Sequence, residues 1–161
     1  MALTIKRNGF GQVEPNHLSA QRTGQIYAQL PANKDIEVLE NGMFAKYDYA
    51  KNEVNFDGEG EFMLVLNEVK LYDTLRETYK DFAMKKENGD MVPRLFKTNI
   101  GDIFTTNMIA EVSVDVDTKL TPGEDGVLTT EGAANAEMIW KVVKVYTLAD
   151  GQDAVKVQRI K

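Results

Sequence analysis

Met138–Leu148 (MIWKVVKVYTL), Ala149–Asp153 (ADGQD) and Ala154–Ile160 (AVKVQRI) are the part of the chain whose reading decides the fold. The first run is rich in valine and aromatic residues and the second carries Val155, Val157 and Ile160; with the turn at Asp150-Gly151 between them, this composition predicts an antiparallel hairpin that closes the domain. If the first run is a strand, Trp140 shares a face with Met138 and Val142. A large aromatic on such a face packs inward, so Trp140 is expected to be buried.

The same texture of short apolar runs between turn residues extends upstream. Glu111–Asp117 alternates, with Val112, Val114 and Val116 set against Glu111, Ser113, Asp115 and Asp117, which predicts a strand with one buried and one wet face. Thr121–Gly126 reads as a loop and Val127–Thr130 as a short strand. Met91–Lys97 and Ile103–Thr106 flank the turn Thr98–Asp102. Nearer the N-terminus, Ile36–Leu39 and Met43–Tyr47 flank Glu40-Asn41-Gly42, a tight-hairpin signal. Val54–Phe56 and Glu61–Leu71 flank the turn Asp57–Gly60. One stretch differs: in Thr74–Lys86, Leu75, Tyr79, Phe82 and Ala83 recur at spacings of three and four, with a Thr74/Glu77 capping box and Gly89 beyond the end. This predicts a helix. The expected fold is mainly β, a small antiparallel barrel or sandwich spanning residues 35–161 with one packed α-helix at about 74–86.

Residues 1–34 read as an extended N-terminal arm. Gly9, Gly11, Pro15, Gly24 and Pro31 interrupt any periodicity. Lys6, Arg7, Arg22 and Lys34 against Glu14 alone give this segment a net charge of +3, whereas the remaining 15 basic and 24 acidic residues leave −9. Such an arm is a strand laid on the home domain, a disordered tail, or a segment that orders on a partner. On the last reading, Arg7, Phe10, Arg22 and Tyr27 are its candidate anchors, because arginines and aromatics most often dominate interface energy.

The whole chain, 161 residues with 43% apolar content, suits one compact domain. Its net charge of −6 argues against coating a nucleic-acid backbone, which requires a basic footprint. The longest apolar run, Phe62–Leu66, is far short of a membrane span. Lys6 and Arg7 are followed by no apolar segment, so no secretory signal is expected. The absence of cysteine excludes disulfides, thiolate metal sites and cysteine nucleophiles.

Catalytic chemistry finds little support. His17, the only histidine, lies in the arm with no acid pair beside it, so it reads as a surface or interface residue rather than a triad member or zinc ligand. Asp115, Asp117, Glu124 and Asp125 form the sharpest acidic cluster. Counted from Asp115 as a calcium loop, however, positions five, six and twelve hold Lys119, Leu120 and Gly126, and the match fails. Gly9-x-Gly11 opens no helix and lacks the third glycine of a dinucleotide fingerprint. Tyr47, Tyr49, Phe56, Tyr72 and Tyr79 are either the core and rim of a β-domain or a stacking platform for sugars or bases. The expectation is no catalysis, no cofactor and no metal.

Three groups of residues carry a family resemblance. They are Gly9–Val13 with Gln21–Tyr27 in the arm, Val92–Lys97 with Gly101–Asn107, and Leu120–Gly126. With the acidic, cysteine-free β-texture around them, they make the chain resemble the small capsid decoration proteins of tailed bacteriophages, also called cement or head auxiliary proteins. The resemblance implies a non-enzymatic virion protein, made in the host cytoplasm and placed on the outer surface of the icosahedral head. It further implies that the protein bridges major capsid protein subunits, often as a trimer, with no direct role for nucleic acid or membrane. The competing class is a carbohydrate- or receptor-binding β-module of a phage fibre or bacterial surface protein.

Overall fold

The structure is a computed structural model that describes residues 2–7, 9–68, 83–110 and 113–161. Among the described residues strand far exceeds helix, so the fold is mainly β. The N-terminal segment contributes β1 (Leu3–Thr4), β2 (Val13–His17), the short helix α1 (Ala20–Thr23) and β3 (Ile26–Tyr27). Next come β4 (Val38–Glu40), β5 (Phe44–Asp48), β6 (Glu53–Asn55) and β7 (Met63–Val65). They are followed by β8 (Ala83–Lys85), β9 (Leu95–Phe96), β10 (Ile103–Thr106) and β11 (Ser113–Val114). The chain closes with β12 (Lys119–Pro122), β13 (Leu128–Thr129), β14 (Trp140–Thr147) and β15 (Asp153–Arg159).

A six-stranded sheet runs β13-β12-β14-β15-β10-β2 and a five-stranded sheet runs β3-β9-β7-β5-β6, with β1-β11 and β4-β8 as separate pairs. One face of each large sheet feeds a common core: Phe44, Leu64 and Phe96 from one, Phe104, Leu120, Trp140, Val142, Val155 and Val157 from the other. This is sandwich packing. Trp140 is fully buried at its centre, 4.9 Å from the Phe104 ring and 5.6 Å from that of Phe44. The opposite face of the five-stranded sheet is covered too, because Ala45, Met63, Val65 and Leu95 join a second core with Ile36 and Leu39. A strand covered on both faces cannot alternate, and for that reason β7 lies within the unbroken apolar run Phe62–Leu66.

The closing hairpin forms as its sequence predicts, with Trp140 opposite Arg159 and Thr147 opposite Asp153. Its doubled valine has a structural cause. The register shifts between Val142 and Lys144, leaving Val143 as an extra residue, so the inward series steps from Val142 to Val145 and Lys144 turns outward. Without that bulge, strict alternation would drive Lys144 into the core.

Several pairings differ from expectation. Glu40-Asn41-Gly42 does make a turn, Met43 N–H donating to the Glu40 carbonyl at 3.2 Å, but β4 pairs with β8 and β5 with β6 and β7. Asn41 acts as a link between segments: its amide exchanges two hydrogen bonds with the Asn67 backbone, at 2.7 and 3.1 Å. Similarly, β6 and β7 are not partners, since β5 lies between them. Val116, expected on a buried face, is 51% exposed. The strand ends at Val114 because Thr118 N–H donates to the Asp115 carbonyl and Asp117 takes φ 70°, turning the chain. Of the helix expected at 74–86, residues 74–82 lie outside the described residues. Ala83–Lys85 is a strand, held by the β4 ladder, whose backbone pairing overrides local helical spacing.

Among the described residues of the first 34, short strands and the helix α1 are laid into the body. β2 pairs with β10 and β3 with β9, while Ile5, Leu18 and Ala20 belong to the inter-sheet core. A boundary at residue 34 therefore does not divide the core. Pro15 is tolerated in β2 because that strand is the sheet's edge.

Candidate interaction surface

The four anchor candidates of the N-terminal segment are held by different parts of the fold. Arg7 forms an ion pair with Glu40 at the end of β4. Phe10 is half-buried, and its carbonyl accepts from Asn107 Nδ2 at 3.0 Å. Asn107, itself fully buried, also accepts from Gln12 N–H at 2.7 Å and lies 3.1 Å from Gln152 Oε1. Gln12 then reaches Asp150 in the β14–β15 turn at 2.6 Å. With the Gln152 amide, that donor holds the Asp150 carboxyl below its ordinary value.

Arg22 is exposed in the last turn of α1. The start of this helix is fixed by Asp102, a buried carboxylate that accepts from Ser19 N–H at 3.1 Å, Ser19 Oγ at 2.9 Å and Asn99 N–H at 3.0 Å. Tyr27 stands edge-on to Tyr47 at 5.4 Å, and Tyr47 edge-on to Tyr49 at 5.6 Å. This ladder runs from buried Tyr47 to Tyr49, which is 69% exposed. Of the expected platform, then, Tyr47 and Tyr49 come together, Phe56 packs against the second core, and Tyr72 and Tyr79 lie outside the described residues.

His17 ends β2 as an exposed residue opposite Ile103. Asp115 and Asp117 sit in the turn after β11, where Val116 N–H donates to Asp115 at 2.8 Å and draws its carboxyl below the usual range. Glu124 and Asp125 belong to the separate β12–β13 loop. Among the described residues no three His, Asp or Glu side chains stand together as a metal-binding group, and no helix is long and apolar enough to cross a membrane.

One feature escaped sequence reading. A groove of about 1120 Å³ opens between the turn after β6, the β12–β13 loop and the segment leading into β14, and Glu59, Glu61, Glu124, Asp125, Glu131 and Glu137 border it. The only hints were the acidic turns Asp57–Gly60 and Gly123–Gly126, which are far apart in sequence. Compared with models of protein families, with curated proteins and with solved structures, the chain has no match.

Proposed function

We propose that the chain is a non-enzymatic virion structural protein that decorates the outside of an icosahedral phage head, bridging neighbouring major capsid protein subunits as a trimer. The observation that carries the reading is the rigid mounting of the net-positive N-terminal segment on an acidic β-body. With α1 tied down by Asp102 and Asn107 anchoring Phe10 and Gln12, Arg22 and Tyr27 are presented at set positions, which lowers the ordering cost of docking. A protein that binds only the expanded lattice stabilises that lattice by mass action, and a trimer gains avidity from several simultaneous contacts. The test is co-sedimentation with expanded and unexpanded heads of the cognate phage. Binding to expanded heads alone is expected, weakened by Arg22→Glu and less so as salt rises. Failure to bind either form would remove the reading.

The second reading, a carbohydrate- or receptor-binding module, is favoured by exposed Tyr49 backed by Tyr47, since an aromatic face open to solvent suits a sugar ring. Saturable glycan binding abolished by Tyr49→Ala would put it first.

A further inference from the structure

We propose that the groove between the β12–β13 loop and the turn after β6 is a docking surface for an extended, lysine- or arginine-bearing segment of a partner protein. Its charge is one-sided. Among the described residues the lining holds two cations besides the six carboxylates, Lys46 and Arg159, both engaged, while from outside it Lys97 lies 4.0 Å from Glu61 and Lys161 donates to the Ala136 carbonyl at 2.8 Å. Arg159 pairs with Glu61 and donates to the Thr98 carbonyl and hydroxyl. The Lys46 ammonium lies over the Phe62 ring, 4.5 Å from its centroid. Asp125 accepts from Val127 N–H at 3.0 Å. Glu59, Glu124, Glu131 and Glu137 are exposed, and none of them forms an ion pair among the described residues. A concave surface bordered by carboxylates of one sign focuses their field and favours a cationic ligand.

Two further observations select a chain over a single ion. The carboxylates come from separate segments, Glu59 and Glu61, Glu124 and Asp125, and Glu131 and Glu137, and among the described residues they do not gather into a metal-binding group, an arrangement that suits cations carried along a polymer. Between them the lining also holds apolar side chains, of which Phe56 and Phe62 are half-buried and Pro122 and Met138 buried. Lysine and arginine stems can lie along apolar surface, and the Lys46 ammonium over the Phe62 ring is a cation already held against the apolar part of the lining. Nucleic acid is repelled by the same charges.

Docking here does not depend on the capsid reading, and the isolated 161-residue chain serves for the test. The probe is a short fluorescent peptide of alternating lysine and leucine, with a glutamate–leucine peptide as its counterpart, read by anisotropy. Saturable binding of the lysine peptide alone is expected. The triple variant Glu124→Gln/Glu131→Gln/Glu137→Gln should weaken it about tenfold or more, because each exposed pair contributes modestly and the losses multiply. The control Asp35→Asn/Glu87→Gln/Asp90→Asn removes the same formal charge from exposed residues outside the groove and should change binding by less than about twofold. Both triples alter exposed side chains only, and thermal melts verify that each remains folded. Equal losses in the two triples would reduce the effect to net charge and overturn the proposal, as would equal binding of the glutamate peptide or no binding of the lysine peptide.

Discussion

Trp140 shows how one side chain organises the inter-sheet core, since its ring contacts Phe44 from one sheet and Phe104 from its own. Among the described residues its Nε1 is a buried side-chain polar atom with no hydrogen-bond partner, a desolvation cost of about 1–3 kcal/mol that its packing must outweigh. Trp140→Ala should therefore destabilise by about 3–5 kcal/mol in denaturant titration. Trp140→Phe should cost clearly less, because it removes the orphaned N–H along with part of the ring; equal losses would mean that shape alone governs the site. Tyr146 presents a different balance. Its hydroxyl lies 2.7 Å from Thr105 Oγ1 and 3.1 Å from Glu14 Oε2. Burial pushes it above the ordinary tyrosine value of 10.0, and the Glu14 charge adds to the rise. A raised folded value means that this contribution is complete below pH 10 and is lost as pH rises through the folded value. Tyr146→Phe should accordingly flatten the alkaline limb of the stability–pH curve, measured by thermal melts, and leave its acidic limb in place.

At the scale of elements, the loops hold the two sheets in register. The β12–β13 loop from the six-stranded sheet meets β5 of the other at Gly126, whose carbonyl accepts from Phe44 N–H at 2.7 Å. Gly126 has φ +77°, and a Cβ there would stand 2.3 Å from the Phe44 carbonyl oxygen and 2.8 Å from the Phe56 ring. Gly126→Ala thus combines a left-handed backbone penalty of about 1–2 kcal/mol with overpacking of about 1–3 kcal/mol. Gly151→Ala carries only the backbone penalty, since its surroundings are open. Comparing the thermal midpoints of the two variants checks this, and similar shifts would show that the loop yields.

The whole molecule depends on its first residues. β2 completes one sheet next to β10, β3 borders the other next to β9, and Ile5, Leu18 and Ala20 are each no more than 3% exposed. Truncating buried residues the size of Ile5 and Leu18 costs about 2–5 kcal/mol each. Total domain stability is about 5–15 kcal/mol. Deleting residues 1–30 should hence abolish the cooperative thermal transition and the near-ultraviolet circular dichroism of the aromatic core. A truncated chain that kept both would make the segment an accessory rather than part of the core. Point substitution at Arg22, not truncation, is for this reason the suitable probe of partner binding.

Local physics determined much of this protein through sequence alone: the mainly β class, the closing hairpin, buried Trp140 and the turns at Asn41-Gly42 and Asp57–Gly60 all follow from neighbours a few residues apart. Tertiary structure decided which strands pair. A turn reports that the chain reverses, but the ladder it enters depends on partners distant in sequence, so β4 joins β8 and β5 separates β6 from β7. The same reason placed the N-terminal segment in the core, because its scattered apolar residues meet their partners only across the sheets. It also assembled the acidic groove, whose carboxylates come from turns about seventy positions apart and are brought to one concavity by the packing of the two sheets.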